Sequence, residues 1–316
     1  MGKLDLKRVI ITGASSGIGL SATREFAREG ADVALLARSE EGLERAAAQA
    51  REHGATAHVI PVDLTDRDAA EKAVADAIER LDGLDVLVTN AAASAYGSFK
   101  DLPAEDFDRS VASTFHSSVY AIRAALDELE ASGGVIVANV STAARTGIPE
   151  QSPYSAAKHA LRGFLSALRV ELRAEHSSVR VAMVHPSPID TPFWRHATSA
   201  AGVQPKPLRS TYAPDVVGAV LVDAAVNPRP EVTVGSSGLI TNLLSTFARP
   251  LADAALATYG IIAQRSDEPA ERPGAVYAAS GKGQETGGYS GRGSVTTALR
   301  LLRPDLLPIP GLRGRN

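Results

Sequence analysis

The chain has 316 residues, 44% of them hydrophobic, and 33 basic against 36 acidic side chains give a formal charge of −3. That balance offers no footprint for nucleic acid or an anionic membrane, and the absence of cysteine excludes disulfides, zinc–thiolate centres and cysteine nucleophiles. The start "MGKLDLKRVI" has no apolar signal region and no run of about 18 apolar residues follows, so a cytoplasmic chain without a membrane span and without a metal is expected.

From residue 8 to 234 short β-branched runs alternate with Ala-, Glu- and Arg-rich segments at helical spacing. The runs are "RVIIT", "DVALLA", "HVIPV", "DVLVT", "GVIVANV", "RVAMVH" and "EVTVG". They are apolar on both faces, as strands read when helices cover both sides of a parallel sheet. The pattern predicts an α/β, Rossmann-type doubly wound fold, with a mostly parallel seven-stranded sheet. Residues 1–264 are expected to form one domain, ending in apolar helices over 239–264 interrupted at Pro250. Residues 265–316 hold nine of the 27 glycines and are expected to be a flexible tail, with a short helix near 295–302.

The first run leads into "VIITGASSGIGL", which carries two motifs. Gly13, Ser15 and Gly17 fit the G-x-S-x-G elbow of a serine hydrolase, with Ser15 as nucleophile and His176, His185 or His196 to be nominated downstream. Only one strand precedes the turn, which counts against an elbow. Gly13, Gly17 and Gly19 also fit a strand–turn–helix cradle. In that reading glycines give the bend, the close approach to a pyrophosphate and the helix packing, while Ser15, Ser16 and Ile18 lie along the phosphates.

The second run ends at Ala37, where sites for NAD place an acid on the ribose 2′-OH. Arg38 follows instead, and a guanidinium suits a 2′-phosphate, so NADP(H) is expected in preference to NAD(H). Glu40 and Glu41 read as first-turn acids after a Ser39 cap. Further on, Ser141 ends the "GVIVANV" strand. Tyr154 and Lys158 are four apart at the start of a predicted helix and share a face. Moving a phenol from a pKa of ~10 to ~7 takes about 4 kcal/mol, and one ammonium ~4 Å away at an effective dielectric of ~20 supplies about that much.

Together these segments resemble the short-chain dehydrogenase/reductase family. The resemblance rests on "TGASSGIG" at 12–19, "VDLTD" at 62–66, "DVLVTNAAA" at 85–93, Ser141, the Tyr154/Lys158 pair and "VHPSPIDTPF" at 184–193. It implies nicotinamide chemistry on a carbonyl or secondary alcohol. Tyr154 is then the general acid/base, Lys158 also holds the nicotinamide ribose, and Ser141 bonds the substrate oxygen. It further implies cofactor contacts from Asp63, Leu64, Asn90, Ala91, Pro186, Ser187 and Thr191. Asp63 reads equally well as a loop acid before a Thr65 cap.

Three positions depart from the family. Thr89-Asn90-Ala91-Ala92 replaces Asn-Asn-Ala-Gly, Pro186-Ser187 replaces Pro-Gly, and Thr114 stands where an active-site asparagine is usual. Thr114 leaves open a nucleotide-binding protein of the same fold with little or no turnover. The long segment from about 187 to 215 reads as a lid carrying Phe193 and Trp194, or as a loop they anchor to the core. Ala93, Ser94, Tyr96, Ala143 and Gln151 are expected pocket neighbours by family position and suggest a neutral substrate. Family members commonly form homodimers or homotetramers, and the same is expected here.

Overall fold

The computed structural model describes residues 2–208, 210–270, 274–279 and 282–291. The apolar runs become the strands of one sheet: β1 (Arg8–Thr12), β2 (Asp32–Ala37), β3 (Ala57–Pro61) and β4 (Val86–Thr89), then, after a short β5 (Ala95–Tyr96), β6 (Val135–Asn139) and β7 (Arg180–Pro186). Two short strands, β8 (Thr198–Ser199) and β9 (Val203–Pro205), precede the seventh sheet strand, β10 (Glu231–Val234). The sheet order is β10-β7-β6-β4-β1-β2-β3, and every pairing in it is parallel.

The helices between the strands are α1 (Gly17–Arg28), α2 (Glu40–Glu52), α3 (Arg67–Leu81), α4 (Ala104–Val111), α5 (Ser117–Ser132), α6 (Ser152–Ala174) and α7 (Pro214–Val226). They cover both faces. Phe26, Leu43 and Val217 pack with Ile11 on one side, while Val74, Leu129 and Leu165 pack with Ile10 on the other. Neighbouring residues of β1 thus enter opposite cores, which is why its sequence is continuously apolar.

The chain winds from β1 out to β3 and then returns across β1 to β4. This reversal opens a crevice at the carboxyl ends of β1 and β4, where ligands of open α/β sheets bind. Local chemistry sets the helix starts around it. The Ser39 side chain accepts from Gly42 N–H at 3.2 Å, as its sequence position suggests. Asp66, not Thr65, caps α3 by accepting from Ala69 N–H at 2.9 Å. The Asp63 carboxylate instead accepts from both the N–H and the hydroxyl of Thr65, at 3.0 and 2.8 Å.

Beyond β10 come α8 (Ser236–Phe247), α9 (Arg249–Ala255), a π-helical turn (Leu256–Gly260) and α10 (Ile261–Gln264). Pro250 lies in the first turn of α9 rather than interrupting a helix, a place where its missing N–H costs nothing. The break falls at Ala248. These helices leave Ile240, Phe247, Leu251, Tyr259 and Ile262 exposed.

Residues expected to be structureless carry regular contacts. Arg265–Pro269 form β11, antiparallel to β9. Residues 274–279 and 282–291 lie against the glycine turn and the segment after β7. Their contacts are mostly backbone hydrogen bonds, which leave no apolar period in a sequence. The helix expected near 295–302 lies outside the described residues.

Candidate active site

The turn after β1 is built by steric necessity. Gly13 sits at φ +65°, and a Cβ there would lie 2.8 Å from the Ala91 Cα. A Cβ on Gly19 would come within 2.0 Å of the Gly13 carbonyl oxygen. Gly19 therefore joins helix to turn and does not line the cleft, contrary to its reading as a cofactor contact.

Asn90 holds the same turn from the end of β4. Its side-chain amide donates to Thr12 O and Gly13 O, each at 3.1 Å, and its oxygen accepts from Asn139 Nδ2 at 2.8 Å. The Thr12 hydroxyl oxygen accepts from the N–H groups of Asn90 and Ala91, at 2.9 and 3.1 Å. Three strand ends are thereby stitched together beneath the cleft.

One continuous cleft runs over these ends. Its lining includes Gly13, Ser15, Ser16, Gly17 and Ile18 from the turn, then Arg38, Asp63 and Leu64 beyond β2 and β3. It continues past Asn90 and Ala91 to Ser141, Tyr154 and Lys158, and to Pro186, Ser187 and Thr191 after β7. Ala93, Ser94, Ala143, Gln151, Phe193 and Trp194 also face it.

Besides Gly19, two expected residues do not. Tyr96 is buried with its hydroxyl on Glu150, which also pairs with Arg265. Thr114 is fully buried and donates to Ala93 O at 3.1 Å. A π-helical turn over Ala112–His116 separates α4 from α5. The wider turn alters which side chains face inward, and the neighbouring Ser113 and Ser117 line the cleft instead. Sequence reading also missed Gln264 of α10, Ala275 and Ala279, all part of the lining. Among these only Gln264 gave a signal, as a polar residue closing an apolar stretch.

Burial pushes the Tyr154 phenol up to about 12, and the Ser141 side chain acts in the opposite direction. The Phe193 ring rests 5.2 Å from the Tyr154 ring, centroid to centroid, and Trp194 Nε1 donates to Ile189 O at 3.2 Å. Phe193 thus covers the tyrosine, and Trp194 anchors the segment that carries it. Lys158 is buried and donates to Asn139 O at 2.8 Å. Its Nζ lies 5.6 Å from the Tyr154 ring centroid. Burial pulls the ammonium down to about 7.

Beneath Ser141 lies His185, fully buried, with Nδ1 3.0 Å from Ser141 O. Desolvation holds its pKa near 4, so the ring is neutral at physiological pH. Ser187, where the family has glycine, uses its hydroxyl to bond Val234 O at 2.7 Å and to accept from Gly238 N–H at 2.9 Å. The departure thereby ties β7 to α8.

At the far end of the cleft the Arg38 guanidinium donates to Ala275 O. Burial lowers its pKa, and the nearby Asp63 acts in the opposite direction.

A doubly wound parallel sheet with a glycine turn at its switch point is a dinucleotide-binding architecture. The family description "short chain dehydrogenase" matches residues 7–212, and the chain belongs to that family, whose members are nicotinamide-binding oxidoreductases. The chain is 33% identical over 275 residues to the uncharacterized oxidoreductase YxnA of Bacillus subtilis (strain 168), covering 84% of this chain and 77% of that one. It is 38% identical to hydroxysteroid 11-beta-dehydrogenase 1-like protein B of Xenopus laevis over 58% of this chain and 64% of the relative. Among solved structures, an alcohol dehydrogenase from the archaeon Thermococcus sibiricus complexed with 5-hydroxy-NADP superposes with a TM-score of 0.64 at 27% identity, over 72% of this chain and 95% of the other. A short chain dehydrogenase/reductase from Burkholderia phymatum in complex with NAD gives 0.71 at 21% identity, over 79% and 96%, and supports the fold. Among the described residues no helix is long and apolar enough to cross a membrane, and no cluster could hold a metal ion.

Proposed function

We propose that this protein transfers a hydride between NADP(H) and a neutral ketone, aldehyde or secondary alcohol, with Tyr154 as general acid/base. The observation that carries this reading is the meeting of Ser141, Tyr154 and Lys158 in the same cleft as the glycine turn and Arg38. The nicotinamide, when bound, supplies or accepts the hydride.

The chain's own residues would manage the proton. The Tyr154 phenol, pushed up to about 12, is neutral at pH 7 and can donate to a forming alkoxide. Charged Lys158 favours the phenolate left behind. At the 5.6 Å measured to the ring centroid and an effective dielectric of ~20, that attraction is about 3 kcal/mol. Lowering the phenol from 12 to ~7 needs about 7 kcal/mol, so Lys158 alone is insufficient. The Ser141 hydroxyl acts in the same direction.

Arg38 supports NADP(H). No carboxylate ends β2 to take a ribose 2′-OH, and a partly desolvated guanidinium gains from a phosphate dianion. Asp63 is already engaged by Thr65. Ser15 fits a phosphate-side role in the turn. We also propose a cytoplasmic location, and a homodimer or homotetramer for which the exposed apolar residues of α8 to α10 offer a face for association.

A second reading, nucleotide binding with little turnover, is favoured by one observation. Thr114 is committed to Ala93 O and turned from the cleft. NADPH oxidation against a panel of aldehydes and ketones separates the two: turnover supports the reductase, and tight binding without turnover supports the second reading.

A further inference from the structure

Part of the C-terminal stretch expected to be a flexible tail reaches the cleft. Ala275 and Ala279 line it together with Arg38 and Ser39. This stretch and the one after it are fastened to both banks. On the bank of the glycine turn, Gly283 N–H donates to Ser15 O at 3.1 Å and Gln284 O accepts from Gly17 N–H at 2.9 Å. Glu285 forms a two-pronged pair with Arg24 of α1, at 2.5 and 2.9 Å, and Arg45 of α2 donates to Lys282 O at 2.7 Å.

On the opposite bank, the segment after β7 supplies the anchors. One carboxylate, Asp190, accepts from the backbone N–H groups of Gly287, Tyr289 and Gly291 at 2.8 to 3.0 Å. Arg195 donates to Gly287 O at 2.8 Å, and His196 O accepts from Ala275 N–H at 2.7 Å.

The character of these fastenings matters. They are hydrogen bonds, a partly exposed ion pair and two ring contacts, Arg109 over Tyr277 and Arg195 over Tyr289. The apolar contribution is small: Ala275 and Val276 meet Ala93 in a cluster separate from the two main cores. A segment held this way can detach without breaching the domain core. It also accepts from the Gly17 amide and from one of the five N–H donors of Arg38, both at the cradle itself.

We propose that residues 274–279 and 282–291 are a retaining strap for the dinucleotide. They close the cleft between the glycine turn and the segment after β7, and the cofactor enters and leaves when they lift. The strap sets the rate of cofactor exchange and leaves the chemistry to Ser141, Tyr154 and Lys158. This rests on the nucleotide-binding reading above.

The test is NADPH release, followed by the fluorescence change on displacement with excess NADP+ in full-length protein. Arg24→Glu and Glu285→Arg each break the ion pair, and neither residue touches the cleft lining. Each should speed release about tenfold, as expected for a lost charge-assisted pair, and the combined Arg24→Glu/Glu285→Arg swap should restore it to within about threefold. Hydrogen exchange of the unaltered protein gives a readout independent of variant folding. The amides of Gly283, Gly287 and Tyr289 should exchange faster than those of β1, and slow on NADPH saturation. Unchanged release in both single variants, or strap amides indifferent to NADPH, overturns the strap. Failure of the unaltered protein to bind either NADPH or NADH overturns the nucleotide reading itself.

Discussion

Asn90→Ala tests whether the cleft is held open by side-chain bonding beneath it. The substitution removes two donations, to Thr12 O and Gly13 O, and one acceptance from Asn139 Nδ2. Each such bond contributes about 1 kcal/mol net, so the loss should be about 3 kcal/mol. For a chain of this size that lowers Tm by roughly 6–12 °C. Asn90→Asp should be at least as damaging, because it sets a carboxylate oxygen against two backbone carbonyls. Thermal unfolding by circular dichroism without cofactor measures the stability, and NADPH titration measures the site. NADPH binding should weaken in both variants, because Gly13 loses the bond that fixes its carbonyl beside the helix start. A loss below about 0.5 kcal/mol for Asn90→Ala, the range of ordinary surface substitutions, would refute the reasoning.

Arg38→Asp should reverse the NADPH/NADH preference in kcat/KM, and an unchanged ratio would assign Arg38 to loop packing. The pH profile of carbonyl reduction should fall as pH rises through about 7, where Lys158 loses its proton. Lys158→Arg, charged at every accessible pH, should flatten that limb even if the overall rate drops. His185 makes an acid-stability prediction. Its folded pKa of about 4 lies below the ordinary 6.5. The unfolded chain therefore binds the proton first, and stability is lost as pH falls from 6.5 towards 4, by about 3 kcal/mol in all. His185→Gln should remove that slope in pH-dependent denaturation, whereas an unaltered slope would place the acid sensitivity elsewhere.

The sheet was legible because its physics is repetitive. Ile10 and Ile11 enter opposite cores, and each run written that way in the sequence is a strand of the sheet. The cleft was largely legible too, since the residues quoted for the family resemblance meet around it. What escaped notice depends on geometry that no period encodes. The π-helical turn over Ala112–His116 brings Ser113 and Ser117 to the cleft and buries Thr114. Tyr96 is drawn away by Glu150, a partner 54 residues distant. The strap is glycine-rich and aperiodic in sequence because its backbone N–H and C=O groups, not its side chains, make most of its contacts. The elbow reading of Gly13 to Gly17 fades for a positive reason: Gly13, Gly17 and Gly19 all answer to steric demands of one longer turn.

The central claim is that Tyr154 passes the proton in an NADPH-dependent reduction. Its most direct test is NADPH oxidation on a carbonyl substrate by the unaltered protein and by Tyr154→Phe, with the NADPH Kd of each measured in parallel. Removing the phenol hydroxyl should cost roughly 10²- to 10⁴-fold in kcat, as loss of a general acid does, with Kd changed by less than about threefold. A Tyr154→Phe enzyme that turns over at the unaltered rate would contradict the account.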